Sequence, residues 1–356
     1  MTDNITGKTI LLICDVHYGC DPLMKSTLLE MGAKEVVQKT LSLKGNLRRP
    51  INLRNLLFVL KNPRESSKKT KELVAEIDGY TFDTVLCVEN TYFSKWFFDY
   101  LRRKNPNVRI IMFLWDIVNK HHPRYKDFWP KFDKVYIFDR DEAKKYGFEY
   151  YPDFYIGEWK EPEPCKYDIA FIGSMRHDTT MDRASTLYEL QQFCKQNGLN
   201  PYFRLKYTEY EHKRVNFMKR LYRKVSDDKY WTIVNKYLPY GYLYNDTISL
   251  EEVNKIYDQS RALLDLGYPG RQGMTINCIT ALAKGKKLIT TNKRIIEEPF
   301  YDPANIFVLD ENNPQLDIEF FKTPTNPINM EYLRIDNWLR HILNHQSINE
   351  LIGGGV

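Results

Sequence analysis

Asp15 and His17 stand two residues apart in CDVHYG (14–19), just past the apolar run TILLIC (9–14). A carboxylate or an imidazole there has the chemistry to take a proton from a substrate hydroxyl. Asp15 also reads as a turn residue and His17 as merely exposed. A second polar cluster, LWDIVNKHHPRY (114–125), follows another apolar run and offers Asp116, Asn119 and His121. No partner stands at metal-ligand spacing from His121–His122, so a zinc site is not expected there. The cluster reads as a substrate-contacting loop, or Asp116 as a cap of the next segment. FIGSMRHD (171–178) runs from an apolar stretch into Gly173 and Ser174, with Arg176 behind them. Small residues admit a phosphate to the backbone, and arginine supplies a fork of donors.

The fourth cluster is YPGRQGMTINCITALAKGKKLITTN (268–292). Arg271, Gln272 and Gly273 precede Met274 and Thr275. Thr275 has the side chain of a helix N-cap for INCITALAKG, which leaves backbone amides over 273–275 facing outward. A helix start with free amides is a site for an anion. A plain turn before a packing helix is the other reading.

Something must hold these clusters in place. TILLIC (9–14), TVLCVE (84–89), VRIIMFLW (108–115) and KVYIFD (134–139) are short and β-branched or aromatic, as buried strands are. DPLMKSTLLEMGA (21–33) reads as a helix capped by Asp21, and SKWFFDYLRRKNP (94–106) as one capped by Ser94. Strands alternating with helices give a mostly parallel sheet covered on both faces. The alternation breaks over 150–168, which is rich in proline and charge, and restarts at YDIAFIGS (167–174). A helix over 182–198, a strand over 202–207, a helix opened by Ser249 and the strand RALLDLG (261–267) follow. NIFVLD (305–310) and a closing helix over 329–346 end the pattern. The expected fold is α/β: two tandem doubly wound domains with an interdomain crevice. Their expected bounds are 1–160 and 161–328, with 329–356 as a C-terminal helix packing back on the first domain. In open parallel sheets ligands bind at the carboxyl ends of strands, which is where all four clusters fall.

The composition agrees with globular domains. Of 356 residues, 43% are apolar and 14% aromatic, and the formal net charge is +6. A modest basic excess suits anionic ligands or an anionic surface. Six cysteines lie scattered with no Cys-x-x-Cys pair. They read as small buried hydrophobes in a reducing compartment. No apolar run is long enough to span a membrane, so a cytoplasmic location is expected, soluble or peripheral on the inner face of the cell membrane.

SLEEVNKIYDQSRALLDL, then a glycine turn, then ALAKGKKLITTN resembles the GT-B glycosyltransferases. More narrowly, LLDLGYPGRQGMT and KKLITTN are similar to the transferases of bacterial capsule, exopolysaccharide and lipopolysaccharide synthesis. The resemblance covers about 165–312 by wording and 1–150 by topology only. It implies two Rossmann-like domains, with the nucleotide-sugar donor in the second and the acceptor in the first. The donor residues it implies are Gly173, Ser174, Arg176, Arg271, Gln272, Gly273, Met274, Thr275 and Thr280. The acceptor contacts are Tyr18, Asn119 and His121, and the base of an inverting reaction would be Asp15, His17 or Asp116. The acceptor class is a glycan or a lipid-linked glycan, and no cofactor is expected. This chain departs from the family where a pair of glutamates commonly stands, at Gln272 and Thr280. The narrower group commonly shows Arg and Glu where Asn277 and Thr280 stand. Phosphate recognition is therefore expected to persist and ribose recognition to differ. A weak or inactive relative acting as a scaffold partner, or a polyol-phosphate transferase of related fold, stays open.

Two further features bear on partners. Asp139 and Asp141 form an Asp-x-Asp at a strand exit, a cation pair or a helix cap. The catalytic reading needs no metal. HKRVNFMKRLYRKVSDD (212–228) holds six Lys/Arg between Lys213 and Lys224 and no acid within that span. It reads as a basic amphipathic helix for an anionic membrane surface, or as a solvated face. No nucleic-acid recognition module is present.

Overall fold

The computed structural model describes residues 4–14, 20–40, 68–88, 93–94, 96–118, 128–156, 164–175, 183–208, 229–267, 273–310 and 312–345, with backbone only at 20 and 21. The chain divides into two compact units, Met1–Phe154 with Tyr332–Val356, and Tyr155–Glu331. Each is built on one six-stranded sheet.

In the first unit the strands are β1 (Thr9–Cys14), β2 (Glu35–Lys39), β3 (Thr84–Val88), β4 (Arg109–Leu114), β5 (Lys134–Ile137) and β6 (Glu149–Tyr150). Their spatial order is β2-β1-β3-β4-β5-β6, and every pairing is parallel. Ile10 to Cys14, Val85 to Val88 and Ile110 to Phe113 are all buried. Strands covered on both faces read as continuous apolar runs because neither side meets water. The amino edge of this sheet is finished by side chains. Asp83 accepts from Thr9 N at 2.9 Å, Asp133 from Ile110 N at 2.7 Å, and Asn105 from Phe82 N at 2.7 Å.

The helix Ile335–Asn344 belongs to this unit. Ile335, Trp338, Leu339, Ile342 and Leu343 are buried at the helical spacing of an apolar face. Trp338 meets Phe113 edge-on at 4.7 Å between centroids and Phe154 at 4.9 Å, and its Nε1 donates to Pro152 O at 3.0 Å. One side chain thus joins the terminal helix to the sheet and to the chain leaving β6.

The second unit carries β7 (Tyr167–Ser174), β8 (Pro201–Lys206), β9 (Leu243–Tyr244), β10 (Ser260–Asp265), β11 (Lys287–Thr290) and β12 (Ile306–Val308). Their order is β12-β11-β10-β7-β8-β9, again all parallel. Phe171, Leu187, Leu190, Phe203, Leu205, Leu264 and Ile289 belong to its core cluster. Tyr242, also buried in that cluster, donates to Ala184 O at 2.8 Å, so its hydroxyl is satisfied inside the core.

Both sheets are doubly wound, and each has a point where chain order reverses. That point lies between β1 and β3 in the first unit and between β7 and β10 in the second. Such switch points are where α/β sheets bind ligands.

Some sequence expectations shift. The first helix is Cys20–Glu30, so Asp21 lies inside its first turn and is not the residue ahead of it. The closing helix starts at Ile335, after a short 3-10 turn at Glu331–Leu333. Strands β2, β6 and β9 and the helices over 68–77 and 229–237 had no counterpart in the reading.

Candidate active site

The carboxyl ends of β7, β10 and β11 converge on a polar assembly in the second unit. Its centre is Asp265, the last residue of β10 and 5% exposed. Its Oδ1 accepts from Thr275 Oγ1 at 2.8 Å and its Oδ2 from Thr290 Oγ1 at 3.3 Å. A buried carboxylate needs such donors, since desolvation is otherwise uncompensated. Thr275 in turn caps the helix Ile276–Ala283, its Oγ1 accepting from Cys278 N at 3.3 Å. A hydroxyl donates once and still accepts, so one side chain serves both roles. The helix start is therefore bolted to the end of β10 by Asp265.

The cap satisfies Cys278 N. The amides of Ile276 and Asn277, ahead of it, donate to no described residue. These are first-turn donors of the helix, where its dipole is positive. Met274, 1% exposed, anchors the approach. Asn292, past β11, is buried, accepts from Arg294 N at 2.9 Å and donates to Gly273 O at 3.4 Å. Thr291 Oγ1 accepts from Gly267 N at 2.9 Å. The exits of β10 and β11 are thus stitched to each other and to the segment entering the helix.

On the β7 side, Gly173 and Ser174 end the strand. A Cβ on Gly173 would fall 2.6 Å from Phe171 Cζ, so any side chain there would have to displace that ring. Arg183, at the start of the helix Arg183–Gln196, donates from Nη1 to Ser174 O at 3.2 Å and from Nη2 to Leu266 O. Sequence reasoning singled out Arg176 here and passed over Arg183 and Asp265.

Thr280 is buried, and Asn277 Oδ1 lies 3.5 Å from Tyr257 Oη. The first turn of this helix holds no acidic residue. Burial pushes the thiol of Cys278 and the phenol of Tyr257 well above their usual ranges, with the Asp265 carboxylate adding to both. Cys194 is likewise pushed up to about 12 by burial. Cys14, Cys87, Cys194 and Cys278 are buried thiols, whereas Cys165 is exposed.

In the first unit Asp116 follows the end of β4, half-buried, and accepts from Ile117 N at 2.8 Å. Asp139 is 1% exposed and caps the helix Arg140–Tyr146 by accepting from Glu142 N at 3.0 Å. Its role as a cap accounts for half of the Asp-x-Asp. No group of three or more His, Cys, Asp or Glu among the described residues is placed to hold a metal ion. Asp15, His17, Tyr18, Asn119, His121, Arg176, Arg271, Gln272 and the basic stretch 213–224 lie outside the described residues.

A groove of about 410 Å³ opens at the amino ends of β7 and β8, beside Lys166, Tyr167, Tyr202, Glu252 and Lys255. It sits at the opposite edge from the strand exits, and its lysines are balanced by glutamates. It offers no anion site.

The fold has solved counterparts. A sucrose-phosphate synthase from Thermosynechococcus elongatus is 12% identical, with a TM-score of 0.51 over 97% of this chain and 96% of that one. A UDP-forming α,α-trehalose-phosphate synthase from Burkholderia xenovorans is 12% identical, with a TM-score of 0.52 over 98% of each chain. An S. aureus MnaA–UDP co-structure is 10% identical, with a TM-score of 0.52 over 97% of each chain. The chain shares with them the two-domain Rossmann-like architecture of the GT-B fold. No protein-family model matches the chain, and no curated protein matches it in sequence. No helix among the described residues is long and apolar enough to cross a membrane.

Proposed function

We propose that this protein is a glycosyltransferase that takes a sugar from a nucleotide-sugar donor and passes it to a glycan or lipid-linked acceptor in bacterial surface polysaccharide synthesis. The observation that carries the reading is the Asp265–Thr275 bolt. It fixes a helix start with two amides, Ile276 and Asn277, that donate to no described residue, at the exit of β10 beside the switch point. Preorganised donors of that kind stabilise the charge that grows on a leaving diphosphate. Ser174 and Gly273–Thr275 lie at the same strand exits, and Arg176, Arg271 and Gln272 belong to the segments that follow β7 and β10. One solved counterpart holds UDP and another is named UDP-forming, so UDP is the first nucleotide to test.

In this reading the first unit receives the acceptor, through Tyr18, Asn119 and His121. Asp15, His17 or Asp116 takes the acceptor proton. The stretch 213–224 holds the enzyme on anionic lipid. A lipid-linked acceptor would lie on that surface, and flotation with anionic vesicles should then weaken as salt rises. A second reading, a GT-B relative that binds without turnover, is favoured by one feature. The helix Ile276–Ala283 presents Asn277 and a buried Thr280 where relatives commonly carry charged side chains.

Calorimetric titration with UDP, followed by product analysis over a panel of nucleotide-sugars, separates the two readings. UDP binding with sugar transfer is the expected result. Binding without transfer to any acceptor supports the second reading, and nucleotide contacts confined to the first unit would overturn both assignments.

A further inference from the structure

We infer that Arg183 is a positioning residue of the donor site, holding the exits of β7 and β10 at a fixed separation. The inference rests on the reading of the second unit as the donor unit.

The hydrogen-bond ladder between the two strands shows why a wedge is needed. β7 and β10 pair from Tyr167↔Ser260 to Ala170↔Leu263, and the pairing stops there. Both strands continue. β7 stays paired with β8 up to Ser174↔Lys206, and β10 with β11 up to Asp265↔Thr290. The sheet therefore splits down its middle over its carboxyl half, at the switch point. Backbone carbonyls along such a split have lost their ladder partners and must find others. Arg183 supplies them from one planar group, Nη1 to Ser174 O on one bank and Nη2 to Leu266 O on the other. Its guanidinium carbon lies 6.0 Å from the Phe171 ring centroid.

The wedge has a consequence for ligand binding. One bank ends in Ser174. The other leads through Asp265 and Thr275 to the first-turn amides of Ile276 and Asn277. A diphosphate that takes donors from both banks requires a fixed distance between them. The rigid two-ended fork of arginine sets that distance, whereas lysine, a single-point donor, does not.

Arg183→Lys and Arg183→Gln test this by two independent measurements. Hydrogen exchange on the free variants should rise several-fold at 172–175 and 264–267 and stay unchanged at 203–205 and 288–290, on the intact outer ladders. UDP affinity should fall tenfold or more in both variants. The binding of uridine, followed by saturation-transfer NMR, should stay the same, because only the diphosphate spans the split. Exchange unchanged at the two exits, or raised evenly across the unit, would overturn the wedge. Equal losses for UDP and uridine would overturn the positioning role. If the wild-type protein binds no nucleoside diphosphate, the donor reading falls and takes the ligand role with it. The exchange measurement would still decide whether Arg183 holds the split.

Discussion

The two units share a parallel-sheet plan and spend their buried polar groups differently. In the first unit those described lie dispersed rather than gathered at one set of strand ends: His341 meets Tyr151 Oη and Thr70 accepts from Ser94 N. Asn105 closes an amino edge and Asp139 caps a helix. In the second, Asp265, Thr290 and Asn292 gather at the carboxyl ends of β10 and β11, and each bonds to a group on another segment. Long-range polar networks cost more to build than caps, because every member must be satisfied at once. Such a network at a switch point is what the proposed donor site in the second unit would need. The first unit is held instead by aromatic packing of its terminal helix on the sheet.

The widest separation between the units is expected in turnover. If the first unit supplies the base, Asp15→Asn should slow the chemical step by about 10²–10⁴. UDP affinity should stay within about threefold, since the proposed nucleotide site is on the other unit. Rapid-quench kinetics with titration calorimetry would check this. Near-full turnover in Asp15→Asn and in His17→Ala would move the base to Asp116.

Next comes Trp338→Ala. Removing a fully buried indole that touches Phe113 and Phe154 and bonds Pro152 O should cost about 3–5 kcal/mol. Denaturant unfolding should show the loss in the first unit, and UDP affinity should not follow it. A parallel fall in affinity would show that the units do not divide the work as proposed.

Asp265→Asn inverts that pattern. The amide keeps the volume but turns one acceptor into a donor facing a threonine hydroxyl. About 1–3 kcal/mol should be lost, with UDP binding weakened tenfold or more in calorimetry. Thr275→Ala removes only the cap and one partner of Asp265 and should cost about 1 kcal/mol. Its effect on UDP should be correspondingly smaller. Unchanged UDP binding in both variants would detach the bolt from the ligand.

The sequence made the framework readable where burial on two faces writes a continuous apolar run. β7 is Tyr167–Ser174, the run YDIAFIGS itself, and Ser249 and Thr275 cap the helices that their positions suggest. β2, EVVQK, was not legible, because an edge strand need bury only part of its length. β6 and β9 have two residues each, too few for any period. The candidate site was legible as a place and not as a network. Asp265 ends an apolar run and looks like any strand-terminal aspartate. Its importance lies in Thr275 and Thr290, which only the fold brings to it. Arg183 bonds a carbonyl 83 residues away, and no local pattern announces that. Gly173 was read as room for a phosphate, and the fold adds the Phe171 ring crowding the place a Cβ would take.

The smallest expected effect concerns His345, which ends the terminal helix. Its φ is 57°, the left-handed region, and among the described residues no other non-glycine residue has a positive φ. Its N–H donates to the carbonyls of His341 and Ile342, as a C-terminal cap does. Glycine adopts this conformation without a Cβ penalty, though it gives up some unfolded-state restriction. His345→Gly should therefore stabilise the first unit slightly at neutral pH, by about 0.5 kcal/mol. The variant should gain more as the pH falls. Burial, with Arg109 and Lys134 nearby and Asp133 opposing them, holds the imidazole down to about 4 in the folded protein. An unfolded histidine titrates near pH 6.5. Below that pH the unfolded chain takes a proton that the folded one refuses, so stability is lost as pH drops from about 6.5 toward about 4. His341, buried and 2.8 Å from Tyr151 Oη, is also held below its usual value by burial. It is present in both proteins and cancels in their difference. Melting curves of the wild type and His345→Gly, taken from pH 7.5 to pH 4.5, should therefore diverge. A gap of about a degree should widen as acid is added. A gap that stays constant with pH would show that the imidazole at the helix end is solvated in the folded protein, so that burial there does not hold its proton off.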